Sequence, residues 1–303
     1  MKVIFEKQLK PLGEKTSVAL GSFEALHKGH TKIIKKTVEY ANKRGIKSVV
    51  SIFKEPVMKK RGLVCETLEE RLGILESLGT DIVVVFDFNE KFRSLSYIEF
   101  FNHYIIGMFD AKKVFAGFNY HFGSHALGDA EKLTKLCKNN GIEVCIEAPV
   151  SEKELISSTY IHHLLESGDA EEIIRYLGRP YSVCGTVENG RKIGSKIGFP
   201  TANISYPKNK ALIKDGVYFG RTLVDKETFF SIINVGTQPT VTSIKTPKIE
   251  VHLIDFCGDL YGKKIKTEFF KKLRSQKNFD NLNALKTQLE LDKKQAETLA
   301  ANY

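Results

Sequence analysis

A change of rhythm at Gly178-Arg179-Pro180 constrains the fold of this chain more than any other feature. From Ser17 to about Pro149, short apolar runs rich in β-branched or aromatic residues alternate with stretches of helical period. Strands are expected over Ser17–Leu20, Ser48–Phe53, Asp81–Phe86, Lys113–Ala116 and Glu143–Ile146, with helices near Thr31–Lys43, Leu68–Leu78, Tyr97–Met108 and Ala130–Lys138. Such alternation predicts βαβ units, a parallel sheet and helices on both faces, with ligands at the carboxyl ends of the strands. Two further helical stretches, Thr159–Ser167 and Ala170–Leu177, precede the change. Beyond Pro180, strand-like runs at Tyr181–Glu188, Val217–Val224, Phe229–Val235 and Ile249–Phe256 are separated only by turn residues, the pattern of antiparallel β structure in a small barrel. A segment of helix formers, Asn281–Ala300, closes the chain. The expected class is therefore α/β plus β, with an α/β domain over residues 1–179 and a β-barrel domain over 180–303.

Its 303 residues and 42% apolar content suit two packed cores and exclude a largely disordered chain. No run of eighteen apolar residues occurs and the first fifteen residues lack an export pattern, so a cytoplasmic protein without a membrane partner is expected. Five widely spaced cysteines never form C-x-x-C, which argues against a disulfide framework or zinc knuckle. Lys and Arg exceed Asp and Glu by 46 to 36, and the net charge of +10 favours anionic partners, either nucleic acid or phosphorylated small molecules.

The first expected strand runs into Gly21-Ser22-Phe23-Glu24-Ala25-Leu26-His27-Lys28-Gly29-His30, where a helix begins. His27 and His30, three apart, share a face in a first helical turn and suit one phosphate; Gly29 admits a nucleotide close to backbone N–H groups. Gly21 and Phe23 open the same loop. A surface pair or a metal-ligand pair has equal spacing. Ser157, Ser158 and Thr159 stand before another helix, where hydroxyls cap N–H groups or hold phosphate oxygens. Gly117-Phe118-Asn119-Tyr120-His121-Phe122-Gly123 suits either stacking on a flat ring or core packing.

In the second half, Gly198-Phe199-Pro200-Thr201-Ala202-Asn203 is the most informative run. Pro200 biases Phe199 to an extended form, and Thr201 and Asn203 then point to one side. A hydroxyl and a carboxamide oxygen so presented suit Mg²⁺, which keeps substrate phosphates as further ligands. Gly185 to Gly198 carries four glycines and the cations Arg191, Lys192 and Lys196, a phosphate wrap or simply a glycine-rich hairpin. In Lys248–Leu253 the apolar residues Ile249, Val251 and Leu253 alternate with Glu250 and His252, so Glu250 is a carboxylate on a rigid strand, a base for an attacking alcohol or an exposed ion-pair partner.

The HxGH element, the GFNYHFG loop and the ISST segment, in this order, resemble the adenylyl-transferring half of the bacterial bifunctional riboflavin kinase and FAD synthetase family. GRPYSVCGTV, IGFPTANI, INVGTQPTV, IEVHLIDFCGDLYGKKI and FFKKLRSQKNF look like its kinase half. The resemblance implies a Rossmann-like nucleotidyltransferase domain, a six-stranded barrel with a terminal helix, and ATP as co-substrate with Mg²⁺. It further implies conversion of riboflavin to FMN and of FMN to FAD, with nucleic acid not among the partners. His27, His30 and the serine-rich segment would handle ATP phosphates. Thr201 and Asn203 would hold Mg·ATP, Glu250 would be the base at the ribityl 5′-hydroxyl, and Arg274 would lie near the flavin. Three positions depart from the pattern: Glu24 and Ala25 replace an Asp-Gly pair, and His162 replaces an arginine. Two alternatives stand beside this reading: a riboflavin kinase whose first domain serves as scaffold or sensor, and a basic nucleic-acid-binding regulatory protein.

Overall fold

The computed structural model describes residues 1–55, 62–150, 153–190, 194, 198–237 and 247–302. The chain divides into two compact units, Met1–Ser158 and Thr159–Tyr303.

The first unit is a six-stranded parallel sheet of β1 (Lys2–Phe5), β2 (Thr16–Leu20), β3 (Lys47–Phe53), β4 (Ile82–Phe86), β5 (Ala111–Gly117) and β6 (Glu143–Glu147), in the order β1-β4-β3-β2-β5-β6. All five expected strands are present; β1 is an addition at one edge. Successive strand residues supply opposite faces. Ala19, Val50, Val83 and Val85 join a core with α1 (Lys28–Arg44) and α2 (Leu68–Ser77), whereas Val18, Leu20, Val84 and Val114 join another core on the other face. That second core receives the helical segment α3 (Glu90–Ser94), α4 (Tyr97–Phe100) with its π-helical continuation Phe101–Met108, and α5 (Ala130–Asn139). Both faces of β2 and β4 are therefore dry, and each of these strands is buried throughout.

This strand order fixes where a ligand belongs. The chain leaves β2 towards β3 on one side and leaves β5 towards β6 on the other, so the adjacent pair β2–β5 is the topological switch point. The loop carrying His27 starts at the carboxyl end of β2, and the loop carrying Asn119 starts at that of β5.

In the second unit, α6 (Ser158–Ser167) and α7 (Ala170–Leu177) precede a closed antiparallel barrel. Its strands are β7 (Tyr181–Glu188), β8 (Ala202–Ser205), β9 (Gly216–Val224), β10 (Glu227–Thr237), β11 (Pro247–Leu253) and β12 (Lys264–Arg274), closed in the order β10-β11-β8-β7-β12-β9. Closure leaves no free edge. Two of these strands, β8 and β12, lie outside the four apolar runs. The last helix, α8 (Leu282–Ala300), is capped by the Asn281 side chain and buries Ala296 against Val217, Phe219 and Phe270 on the outside of the barrel. Packing assigns α6 and α7 to this unit: Lys214 donates its N–H to the Leu165 carbonyl at 2.9 Å, and Lys271 pairs with Glu171 at 3.1 Å.

Candidate functional site

In the first unit the β2–α1 loop is held by steric necessity. A Cβ on Gly21 would lie 2.8 Å from the Phe23 ring, and Phe23 (φ 44°) and Leu26 (φ 40°) both adopt left-handed backbone although neither is glycine. Such conformations cost on the order of 1–3 kcal/mol each and persist only where packing enforces them. Phe23 and Leu26 are both fully buried. Phe23 thus lies beneath the loop, its ring edge-on to His30 with centroids 5.2 Å apart.

His27 is the N-cap of α1; its Nδ1 accepts the His30 N–H at 3.4 Å, and the two imidazoles stack with centroids 3.7 Å apart. Accepting at Nδ1 leaves the proton of neutral His27 on Nε2. Gly29 makes this stacking possible, since a Cβ there would come within 3.2 Å of the His27 ring. The first turn of α1 holds no acidic residue, so its positive dipole end is not neutralised from within the helix. Glu24 is buried and its carboxylate accepts the Cys65 N–H at 3.0 Å; Ala25 is fully buried.

In the β5 loop, Asn119 is exposed, and its carbonyl takes the Nδ1–H of His121 at 3.0 Å. Tyr120 and Phe122 stack with centroids 5.4 Å apart and face the core, which pushes the Tyr120 phenol well above its ordinary range through burial. Phe118 is left as the exposed phenyl ring of this loop, beside the exposed imidazole of His121. Ser157 precedes α6, while Ser158 and Thr159 are its first two residues. His162, one turn further on, is buried.

On the barrel, strand register builds the second constellation. Glu188, Asn203, Glu250 and Asn234 stand directly opposite one another across β7, β8, β11 and β10, and cross-strand partners share a face. Their neighbours Val187, Ala202, Ile204, Ile249, Val251 and Val235 are buried, so the polar row lies on the outer wall. A cavity of about 400 Å³ opens beside it, lined by Asp215, Asn234, Gly236, Lys248, Glu250 and the Gln276–Asn278 segment. Asn234 directs its amide nitrogen to Glu250 Oε2 at 3.5 Å; Gln276 donates to Asn234 Oδ1 at 2.5 Å and to the Val235 carbonyl at 2.8 Å. Gln276 thereby fixes which end of the Asn234 amide faces the carboxylate.

Thr201 is exposed immediately before β8. Pro200 is anchored through its carbonyl, which accepts from His252 Nδ1 at 2.8 Å, and burial holds the His252 imidazole below its ordinary value. Gly198 takes φ 84°, open to glycine without strain. A Cβ on Gly190 would lie 2.0 Å from the Asn203 amide nitrogen, so the chain needs glycine there to pass over Asn203. Gly185 meets a different demand, since a Cβ would lie 2.3 Å from the Ser205 carbonyl oxygen in the barrel wall. Lys192 lies outside the described residues. Arg274 turns to α8, where Asp292 receives its Nε at 2.9 Å and its Nη2 at 2.7 Å; Asp292 is 2% exposed. It is not among the residues lining the cavity.

The structure therefore brings His27 together with His30, and Asn203 together with Glu250. Sequence reasoning missed Asn234 and Gln276, whose role depends on contacts 16 and 42 residues away. It also missed Arg71, a fully buried guanidinium bonded at 2.8 Å to the carbonyls of both Phe53 and Lys54 at the carboxyl end of β3.

Comparison with known proteins supplies the family. A family model described as riboflavin kinase matches residues 177–300, and one described as FAD synthetase matches 9–160. A bifunctional riboflavin kinase/FMN adenylyltransferase of Bacillus subtilis is 34% identical, covering 93% of this chain and 92% of its own length; one of Pseudomonas fluorescens is 32% identical, covering 97% and 96%. A solved structure described as a macrolide-efflux protein from Streptococcus pneumoniae superposes with a TM-score of 0.88 at 30% identity, covering 98% of this chain and 99% of that one. Among the described residues, no helix is long and apolar enough to cross a membrane.

Proposed function

The chain belongs to the bifunctional riboflavin kinase/FMN adenylyltransferase family, and from that premise we propose how its residues divide the two reactions. Residues 180–303 phosphorylate riboflavin and residues 1–179, which take in α6 and α7 as well as the first unit, adenylylate FMN, both with ATP. The observation that carries the kinase assignment is Glu250: a carboxylate on a hydrogen-bonded strand, facing a cavity and oriented by Asn234.

Glu250 accepts the proton of the riboflavin 5′-hydroxyl as that oxygen bonds to the γ-phosphorus of ATP and the bond to the ADP oxygen breaks. Lys248 and Lys277, which also line the cavity, offset phosphate charge. Magnesium fits the donor set. Thr201 and Asn203 offer hard oxygens, Glu188 and Glu250 flank Asn203 in register, and the glycine at position 190 gives the Asn203 amide its space. When bound, the ion would spread phosphate charge in the transition state.

In the first unit, His27 donates from Nε2 and His30 lies against it at the positive end of α1, an arrangement that suits phosphate oxygens. There an FMN phosphate oxygen bonds to the α-phosphorus of ATP and pyrophosphate leaves. Gly21 and Gly29 act by permitting the loop geometry, Phe23 supports His30 from below, and Asn119 is an exposed polar group of the adjacent β5 loop. Ser157, Ser158 and Thr159 supply hydroxyls to phosphate at the start of α6. On the barrel, Gly185, Gly198 and Pro200 shape the strands around Asn203, and Lys192 is assigned to phosphate. Arg274 acts near the flavin through the segment it anchors rather than by lining the cavity. The substrates imply residence in the cytoplasm.

The test is product analysis. Purified protein given riboflavin, ATP and Mg²⁺ is expected to yield FMN first and FAD afterwards, and protein given FMN and ATP should yield FAD alone. Absence of FMN in the first reaction would overturn the kinase assignment; absence of FAD in both would overturn the adenylyl one.

A further inference from the structure

The last residue of β6 joins the two loops of the switch point. Glu147 stands at the carboxyl end of the sheet, opposite Gly117 in the β5–β6 register. Its side chain is 7% exposed, yet it accepts from two lysines of α1: Lys32 at 3.0 Å and Lys36 in a short contact. The Cys145 thiol donates to the same carboxylate at 3.3 Å. Through its main chain, Glu147 accepts the Phe118 N–H at 3.0 Å. Burial works to raise the Glu147 carboxyl, but hydrogen bonds from Lys36, Lys32 and Cys145 prevail and carry it down to about 2, so it is an anion throughout the working pH range.

One residue therefore grips α1 by its carboxylate and the β5 loop by its carbonyl. Lys32 lies within the first turns of α1, directly after the His27 cap and His30, and Lys36 lies one turn further along the same face. Two attachments a turn apart fix both the rotation and the axial position of a helix, which a single surface pair does not. The β5 loop is equally confined. A Cβ on Gly117 would lie 3.2 Å from Asn119 Oδ1 and 3.6 Å from the Ile33 side chain of α1, so a side chain at this position would press on both the loop and the helix. An ordinary surface ion pair is exposed and worth little. Here the carboxylate is buried and shared while both lysines reach solvent, so its neutralisation would remove the common anion that draws the two α1 side chains onto the sheet.

We infer that Glu147 is a positioning residue for adenylyl transfer, holding the His27–His30 pair in register with the Asn119 loop. This rests on the reading of the first unit as the FMN adenylyltransferase. Displacements of about 1 Å at reacting groups cost up to roughly 10²-fold in rate, so the expected consequence of losing the clamp is kinetic as well as structural.

The experiment uses the full chain. Glu147→Gln is expected to lower kcat for FAD formation at least about tenfold, with KM for ATP changed less than about twofold, because the misplaced groups act on the transition state. FMN formation by the same preparation should be unchanged. Glu147→Asp, which keeps the charge, should recover part of the loss. The double variant Lys32→Gln/Lys36→Gln should reproduce the loss, and adding Glu147→Gln to it should cost little more, since one clamp cannot be broken twice. Unchanged kcat in Glu147→Gln, or full additivity with the lysine variants, would overturn the inference. Imidazole NMR signals of His27 and His30 give a readout without turnover: they should move in Glu147→Gln and stay unmoved if the residue is only a surface anchor. Should the unsubstituted chain make no FAD, the reading of the unit falls, and the imidazole signals still report whether Glu147 positions the pair.

Discussion

The two units hold their reactive groups by opposite means. In the α/β unit they sit on loops beyond the strands, kept in place by packing that enforces left-handed backbone at Phe23 and Leu26 and stacks His27 on His30. In the barrel, Glu250, Asn203 and Asn234 lie within strands, and ladder register alone sets them side by side. A sheet therefore supplies precision as a by-product of its hydrogen bonding, whereas a loop site needs buried residues that do nothing else. The α/β unit should accordingly be sensitive at positions remote from substrate, and the barrel at the reacting residue itself.

The sharpest break of this comparison is Glu250→Gln. Removing the proton acceptor while keeping shape and register should lower FMN formation by a factor of about 10² or more, with FAD formation from supplied FMN untouched. Steady-state assays of both half-reactions on one preparation check it; a parallel fall in both would mean that the two units do not separate the chemistry. Asn234→Ala comes next. Its bond to Glu250 is long at 3.5 Å, so it orients the carboxylate and does not react, and a loss of about tenfold in kcat is expected for a hydrogen bond to a charged group. Gln276→Ala should give a similar but smaller loss by releasing the amide; if it costs more than Asn234→Ala, the direction of the chain Gln276–Asn234–Glu250 is wrong.

The same contrast governs what the sequence discloses. Alternation in Lys248–Leu253 predicts Glu250 opposite a buried face, and Ile249 and Val251 are indeed buried, because period two is a local property. The βα rhythm of the first half likewise announces the parallel sheet. Short or charged strands escape: β8 has four residues, and β12 reads KIKTEFFKKLR, whose Lys266 and Glu268 form a half-buried ion pair. The HxGH spacing places two histidines on one helical turn, but nothing local reveals that Phe23 lies buried below them or that His27 is the cap. Glu147 ends a strand spelled EVCIE and resembles any solvated edge carboxylate, since its partners Lys32 and Lys36 lie more than a hundred residues earlier. Arg274 is legible only in part: its segment lines the cavity through Gln276, Lys277 and Asn278, while the guanidinium itself is taken up by Asp292 on α8.

Acid provides a milder probe of the first unit. The Glu147 carboxyl is held at about 2 against an ordinary 4.5, so between these values the unfolded chain takes up a proton that the folded unit refuses. The stabilisation is complete above pH 4.5 and is lost as the pH falls towards 2. Asp81, lowered by its bonds from Ser48 against the opposing effect of burial, contributes with the same sign. Hydrogen exchange of α1 and β6 amides, followed from pH 5 to pH 3, should show protection falling, and Glu147→Gln should flatten that dependence. A dependence just as steep in Glu147→Gln would transfer the acid sensitivity to other carboxylates.

The smallest expected effect separates stability from positioning within the α/β unit. Thr67 caps α2 in a reciprocal box, its hydroxyl accepting the Glu70 N–H at 3.2 Å while the Glu70 carboxylate accepts the Thr67 N–H at 2.8 Å. Thr67→Ala removes the hydroxyl and should cost about 1 kcal/mol of stability. Since Thr67 acts only through the helix it caps, and α2 keeps its packing on the core through Leu75, kcat for FAD formation should stay within about twofold even as the melting temperature drops by a few degrees. Glu147→Gln at equal thermal cost should lose activity instead. If Thr67→Ala proved as damaging to turnover as Glu147→Gln, a loss of general stability would explain both, and the loop site would owe nothing special to the clamp beside it.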